Sequence, residues 1–170
     1  TVALGMYCTA SAELGFATGL SSASNRYAMY SRAAGTFNLA GDAQHVQFIA
    51  RNKTTNNTAT TLFLNGSSTR LTIPSGKILF AVVLVSGIKS DGSAASCYKR
   101  KVAIKNVSGT TSLVGSVETI GTDHEDNAST DVAITADDTN DALDISVTGI
   151  TGETWRWVAV VEGLEIAYGS

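Results

Sequence analysis

The chain has 170 residues, of which 44% are hydrophobic and only 16% are charged, with a net charge of −3. This length fits one domain, and so high an apolar content with so small a net charge excludes a disordered chain. The net negative charge argues against a basic nucleic-acid-binding face, and no apolar run approaches the roughly 18 residues of a membrane-spanning helix.

Residues 1–43 form a first region, rich in Ala, Gly and Ser, in which small residues return every six to eight positions. A closely wound β-solenoid has this pattern because small residues fit its tight corners. An Ala- and Ser-rich coil or a broken helix is the alternative, although Gly15, Gly19, Gly35 and Gly41 disfavour a continuous helix. We therefore predict a short irregular or β-roll-like segment.

Three imperfect units bury little apolar surface alone, so the predicted segment should pack against other copies of itself. It would then mediate oligomerisation and attachment within a fibre or virion. Its larger side chains are the candidate oligomer contacts: Phe16, Leu20, Tyr27, Tyr30, Phe37 and Leu39.

Residues 44–170 form a second region with short runs of alternating hydrophobicity and turn signals such as Asn65-Gly66 and Asp91-Gly92. The longest apolar run, at 78–85, predicts a strand buried on both faces. About nine short strands without a helical crossover predict an antiparallel β-sandwich or jelly roll. The predicted strands are 46–50, 62–64, 71–73, 78–85, 98–104, 113–119, 132–135, 143–147 and 155–161, and a continuation of the last strand through 166 stays open.

Several segments of the second region resemble a domain that recurs in tailed-phage and prophage proteins, many of them tail-fibre or host-specificity proteins. The resemblance covers roughly residues 41–161, in order and with few gaps. It is carried by the stretches Gly41-Asp42-Ala43-Gln44-His45, 62–74, 111–115, 131–143 and Arg156-Trp157-Val158-Ala159. The preceding small-residue segment is similar to the trimeric β-roll heads of bacterial adhesins.

The resemblance implies a homotrimeric, virion-exposed fibre or spike module that contacts other virion proteins. It carries no catalytic motif. We therefore expect a phage structural protein without enzymatic activity that displays loops for binding a host-surface glycan or protein. Two alternatives stay open: a capsid decoration protein, acting as cement or head fibre, and, less favoured, a polysaccharide-degrading spike enzyme.

Three long polar loops are the candidate receptor contacts, because recognition residues concentrate on loops held by a rigid scaffold. These loops lie at about 54–59, 89–96 and 122–130. The residues chosen in them are Thr55, Asn57, Asp91, Ser93, His124, Asp126 and Asn127.

Neither a metal centre nor a cofactor is predicted. An acidic run containing Asp137, Asp138 and Asp141 is a weak calcium candidate, because hard cations bind several oxygens from one loop. The run fails the EF-hand template, so a polar hairpin is the favoured interpretation. Cys8 and Cys97 are predicted to be free thiols, and no nucleophile, P-loop or zinc-protease motif is present.

Overall fold

The computed structural model describes residues 1–168, and every regular element in them is a β-strand. The prediction of an all-β, sandwich-like fold is therefore confirmed. Residues 169–170, which end the predicted second domain, lie outside the described residues. No helix in the described part of the chain could cross a membrane.

The first 42 residues wind into a small β-solenoid with a 14-residue repeat, which we call the coil. Strands β1 (Val2–Met6), β3 (Phe16–Leu20) and β5 (Tyr30–Ala34) pair in parallel, so that Val2 lies beside Phe16 and Phe16 beside Tyr30. On the other side of the coil, β2 (Thr9–Ala10) pairs in parallel with β4 (Ala23–Ser24). One 14-residue turn therefore contains two strands.

The corners of this coil fall at every seventh residue. Tyr7, Leu14, Ser21 and Ala28 all adopt left-handed backbone conformations, with φ between 49° and 58°. Such φ values are uncommon for residues other than glycine, and their spacing shows that each turn consists of two equivalent halves. Small side chains fill the interior, where the hydroxyl of Ser22 hydrogen bonds to that of Ser31 at 2.8 Å.

Four long antiparallel strands make the main sheet of the sandwich. They are β6 (Ala43–Thr54), β9 (Lys77–Lys89), β10 (Ala95–Val107) and β16 (Trp155–Ala167), in the order β6-β16-β9-β10. Three short strands line the free edge of β10: β11 (Thr110–Leu113), β12 (Glu118–Thr119) and β13 (His124–Glu125). At the opposite edge, β5 of the coil pairs with β6, so coil and sandwich share one sheet.

A smaller sheet covers the inner face of the main sheet. It contains β14 (Asp131–Asp137), β15 (Ala142–Thr148) and the short strands β7 (Thr60–Thr61) and β8 (Leu71–Thr72). The core lies between the two sheets. Trp155 and Trp157 are buried in it and stack with ring centroids 5.5 Å apart.

Buried charges join the coil to the sandwich. Arg26, in the coil, contacts the carboxylate of Glu165 in β16, and the Glu165 side chain is fully buried. Lys77 donates to Glu165 at 2.7 Å and Gln44 donates to it at 2.9 Å. Burial alone would raise the pKa of Glu165, but the charges of Arg26 and Lys77 outweigh burial and lower the pKa.

Three sequence expectations differ from the structure. The predicted strand 62–64 is a single bridge between Phe63 and Arg51, because Leu62 and Leu64 both turn into the core. The predicted strand 113–119 breaks into two pieces at Gly115, whose φ of 77° cannot continue a strand. The strand predicted over 78–85 is buried on one face only, since Phe80 and Leu84 are 48% and 47% exposed.

Candidate functional site

The loops at one end of the sandwich gather into a single polar surface, which we call the loop end. Trp155 lies opposite both Thr54 and Lys89, so the turns that follow β6 and β9 and the turn that precedes β16 meet there. The chain before β14 joins them, because the backbone N–H of Asp126 donates to the carbonyl of Ala95 at 3.0 Å. The loop end comprises residues 55–59, 90–94, 124–130 and 149–154.

All seven predicted receptor-contact residues lie at the loop end and are exposed: Thr55, Asn57, Asp91, Ser93, His124, Asp126 and Asn127. The turn at 149–154, which completes this surface, was not among the predicted loops. It is held by a 2.9 Å hydrogen bond from the N–H of Ser90 to the carbonyl of Thr154. The Thr151-Gly152 pair just before β16 is the turn signal that could have identified it.

Short side chains fix the backbone of these loops locally. The carboxylate of Asp91 accepts from the N–H of Ser93 at 2.9 Å and from its hydroxyl at 2.6 Å. These two bonds, opposed by burial and assisted by Lys89, lower the pKa of Asp91 to about 2. The amide oxygen of Asn127 accepts from the N–H of Ser129 in the same way, at 2.9 Å. Turns of this kind hold a loop in one conformation without support from the core.

One lysine links two of the loops. Lys89 contacts Glu153 at 3.1 Å and Asp91 at 3.3 Å. The hydrogen bond to Glu153 contributes most to a raised pKa of Lys89, and the hydrogen bond to Asp91 comes second. The indole N–H of Trp155 donates to Glu153 at 2.9 Å, and this bond, together with Lys89, lowers the pKa of Glu153. These carboxylates are therefore ionised at neutral pH.

The loop that carries His124 is tied to β10 on both sides. The guanidinium of Arg100 donates two hydrogen bonds, of 2.6 and 2.8 Å, to the carboxylate of Asp123. These bonds lower the pKa of Asp123. The hydroxyl of Tyr98 donates to Glu125 at 2.6 Å and lies 2.8 Å from the hydroxyl of Thr130. Burial of Tyr98 is the main cause that raises the pKa of this phenol well above its usual range, and its hydrogen bond to Glu125 is the second.

The coil presents its apolar side chains away from the loop end. Phe16 and Tyr30 stack at 5.4 Å on the outer side, while Leu20 is 37% exposed. Phe37 and Leu39, in the turn between β5 and β6, are 80% and 48% exposed. These five are among the predicted oligomer contacts, and the sixth, Tyr27, packs partly against the core of its own chain.

The turn that carries Phe37 is organised by one carboxylate. Asp42 accepts hydrogen bonds from the hydroxyl of Thr36 and from the N–H groups of Phe37, Asn38 and Leu39, at 2.6 to 3.0 Å. Burial would raise the pKa of Asp42, but these four bonds hold it well below its usual range. Phe37 is therefore exposed on a backbone that is already ordered.

The acidic run considered for calcium is occupied by donors of the protein itself. Arg70 contacts Asp137 at 3.2 Å and Asp144 at 3.1 Å. Thr111 donates its N–H to Asp138 at 2.5 Å and its hydroxyl to Asp141 at 2.8 Å. Within residues 1–168 no group of three or more His, Cys, Asp or Glu side chains is arranged to hold a metal ion.

Comparison with known proteins finds a distant likeness to a phage tail protein. No family model matches the sequence, and no curated protein matches it. The crystal structure of the Acinetobacter phage vB_ApiP_P1 tailspike protein is similar to 73% of this chain, with a TM-score of 0.39 and 16% identity. The matching part is 22% of the tailspike, so this chain spans about a fifth of its length.

Proposed function

We propose that this chain is a non-enzymatic structural module of a tailed-phage particle, a homotrimeric tail-fibre or spike segment that displays loops to the host surface. The observation that carries the proposal is the separation of two unlike surfaces. Polar loops occupy one end of the sandwich, whereas the apolar coil pairs with the start of β6, about 24 Å away along the strand.

The coil supports a role in assembly. All five residues of β1 are exposed, and this edge strand has no charge, proline or bulge. Edges of this kind attract other chains unless they are covered, and repeat coils need a cap at their ends. Packing of the coil against neighbouring copies would cover Val2, Leu4 and Met6, which are 50 to 66% exposed.

The loop end supports a role in recognition. Its exposed Asn, Asp, Ser and Thr side chains can donate and accept hydrogen bonds, as a glycan or a polar protein surface requires. Because Asp91 and Asn127 already order their turns, binding would cost little further conformational entropy. Three copies in one trimer would add avidity to weak contacts at each site.

The chemistry of the carboxylates favours a role without catalysis. A glycoside hydrolase needs one carboxylic acid whose pKa is raised so that it stays protonated. Here the pKa of Asp91 and that of Glu153 are lowered, and the two share Lys89. Arg70 likewise contacts both Asp137 and Asp144.

Antibody labelling of the intact particle, viewed by electron microscopy, tests the proposed location. Label at the tail tip is the expected result, and label over the head lattice would favour capsid decoration instead. Incubation with host polysaccharide should release no reducing ends. Release of reducing ends that a single carboxylate substitution abolishes would overturn the non-enzymatic assignment.

Adsorption of the purified, labelled chain to host cells tests the loop end itself. Asn57→Ala and His124→Ala should weaken adsorption while leaving the free energy of unfolding within about 0.5 kcal/mol, because both side chains are exposed. Thr135→Ala, an exposed substitution on the small sheet away from the loop end, is the matched control. Equal adsorption of all four proteins would contradict a receptor-binding role for these residues.

A further inference from the structure

The main sheet has an apolar outer face that nothing in the chain covers. On the side away from the core, β6, β9 and β16 carry seven large apolar side chains that are 46 to 55% exposed: Ile49, Phe80, Leu84, Ile88, Val158, Leu164 and Ile166. We call this surface the outer face. Sheets that face water alternate apolar and polar residues, so a second apolar face indicates a partner.

The outer face is continuous with the outer side of the coil. Leu164 lies opposite Phe80 on one side and His45 on the other, and His45 lies opposite Arg32 in β5. The same row continues through β3 to Leu4 in β1. Seven neighbouring strands, from β1 to β10, therefore present one surface, and the coil forms one side of it.

The size of this surface matches a stable protein interface. Neighbouring strands lie about 4.8 Å apart and successive outward residues about 6.8 Å apart. Seven neighbouring strands, each contributing three outward-facing residues, therefore cover roughly 700 Å². A standard interface buries about 800 Å² on each partner, so the area of this sheet surface is of the same order.

The outer face also carries charged side chains: Arg32 and Arg156 are exposed on it, and Glu162, between Val160 and Leu164, pairs with His45 at 3.1 Å. Lys99, Lys101 and Lys105 lie along β10, at the side of the face farthest from the coil. The opposite side, made by β1, carries no charge. A neighbour that places its coil side over β9 and β16 would bury apolar surface without bringing lysines together, whereas a strongly basic partner would meet these lysines.

A preordered aromatic side chain lies at the margin of the same face. Phe37 borders a groove of about 280 Å³ whose apolar lining includes Ala34, Ala43, Leu164 and Ile166. Asp42 holds the backbone of the Phe37 turn in place. Exposed aromatic residues on rigid loops are typical anchors of interfaces, because they lose little entropy on binding.

We infer that the outer face is an interface with a second copy of this chain, centred on Phe80, Leu84 and Leu164. This inference rests on the proposed homotrimer and extends the contact between subunits from the coil to the sandwich. In the assembled protein, the apolar run at 78–85 is buried on both sides, on one side by the core and on the other by the neighbouring copy.

Sedimentation equilibrium of the full chain and four variants tests this interface. Phe80→Glu and Leu84→Glu should weaken self-association about 100-fold or more, because each places a charge in the centre of the contact. Leu4→Glu probes the coil. Thr135→Glu is the matched control, since Thr135 is exposed on the small sheet, which lies on the opposite side of the main sheet. Near-ultraviolet circular dichroism of the buried Trp155–Trp157 pair checks that each variant is folded.

The outcomes separate the interface from the proposed function. Dissociation of folded Phe80→Glu and Leu84→Glu, with Thr135→Glu unchanged, would support the outer face. If the trimer survives both substitutions and only Leu4→Glu dissociates it, the outer-face interface is overturned. The proposed trimer then still stands. A wild-type monomer would overturn both.

Cys97 gives a second readout that does not depend on substitutions in the face. It is an exposed thiol on the outward side of β10, opposite Ser86. Its reaction with a maleimide should slow at least tenfold as the wild-type chain is concentrated into its assembled form. A rate that is independent of protein concentration, in a chain that sedimentation shows to associate, would contradict burial of this part of the face.

Discussion

The guanidinium of Arg26 contacts the carboxylate of Glu165 across 139 residues of sequence, and both side chains are buried. Arg26 belongs to the coil and Glu165 to the last strand of the sandwich. The same guanidinium lies 4.7 Å above the ring of Phe48, and its Nη1 donates to the carbonyl of Thr72 at 3.0 Å. The coil is therefore held on the sandwich by charge as well as by strand pairing.

Substitution of Glu165 should be strongly destabilising. In Glu165→Gln, Arg26 and Lys77 would stay buried without their counter-charge, which costs about 3 kcal/mol. Urea denaturation measures this loss, and Glu13→Gln, an exposed change away from the outer face, should alter the free energy of unfolding by less than about 0.5 kcal/mol. Similar stabilities of the two variants would show that the buried cluster contributes little.

The contribution of Glu165 should depend on pH. Its pKa is lowered in the folded chain, so its stabilisation is complete above the unfolded-state pKa of about 4.3 and is lost as the pH falls through the folded-state value. The difference in unfolding free energy between wild type and Glu165→Gln should be constant from about pH 6 to 7 and shrink below about pH 4. A difference that grows as the pH falls would contradict this assignment.

The close stacking of coil turns makes Gly19 sensitive to substitution. A β-carbon at Gly19 would overlap the carbonyl oxygen of Ala33, and its φ of 96° disfavours other residues. Gly19→Ala should therefore destabilise the coil by about 2–4 kcal/mol, from backbone strain and overpacking together. Gly152→Ala has a similar φ of 81° but open space around it, so it should cost only about 1–2 kcal/mol.

Hydrogen exchange of the amides in β3 and β5 measures the effect of Gly19→Ala on the coil. The exchange of these amides should accelerate, while that of β9 and β16 changes less. Uniform acceleration throughout the sandwich would instead show that coil and sandwich unfold as one cooperative unit.

Replacement of Ala28, at one corner of the coil, by glycine should increase the stability of the coil. Ala28 has a φ of 49°, which costs an L-residue about 1–2 kcal/mol. Because glycine removes this strain at a smaller entropic cost, Ala28→Gly should stabilise the coil by about 0.5–1 kcal/mol. Ala33→Gly, in regular β5, should destabilise by about 1 kcal/mol. Thermal denaturation compares the two, and a loss of stability in Ala28→Gly would contradict the corner assignment.

The sandwich could be predicted largely from local patterns, whereas the pairing of the coil could not. Alternation placed Val46, Phe48 and Ala50 towards the core because side chains of a strand alternate between two faces. The 14-residue register depends on left-handed corners at residues such as Tyr7 and Leu14, whose residue types do not indicate that conformation.

The loop end shows the same division between what local sequence patterns predict and what long-range strand pairing decides. Polar loops were recognisable along the chain, but their convergence follows from the pairing of Trp155 with both Thr54 and Lys89. The apolar run around Phe80 predicted burial on two sides, and a single chain supplies only one of them. Local sequence patterns can therefore show that a strand is apolar on both faces, but they do not show what lies against either face.

Sedimentation equilibrium of the unmodified chain tests the central claim most directly, because the assembly, the avidity of the loop end and the outer-face contact all depend on self-association. One chain has a mass of 17.6 kDa. We predict a single species of three times that mass across the micromolar range. A monomer that keeps β1, β3 and β5 folded at the same concentrations would contradict the account.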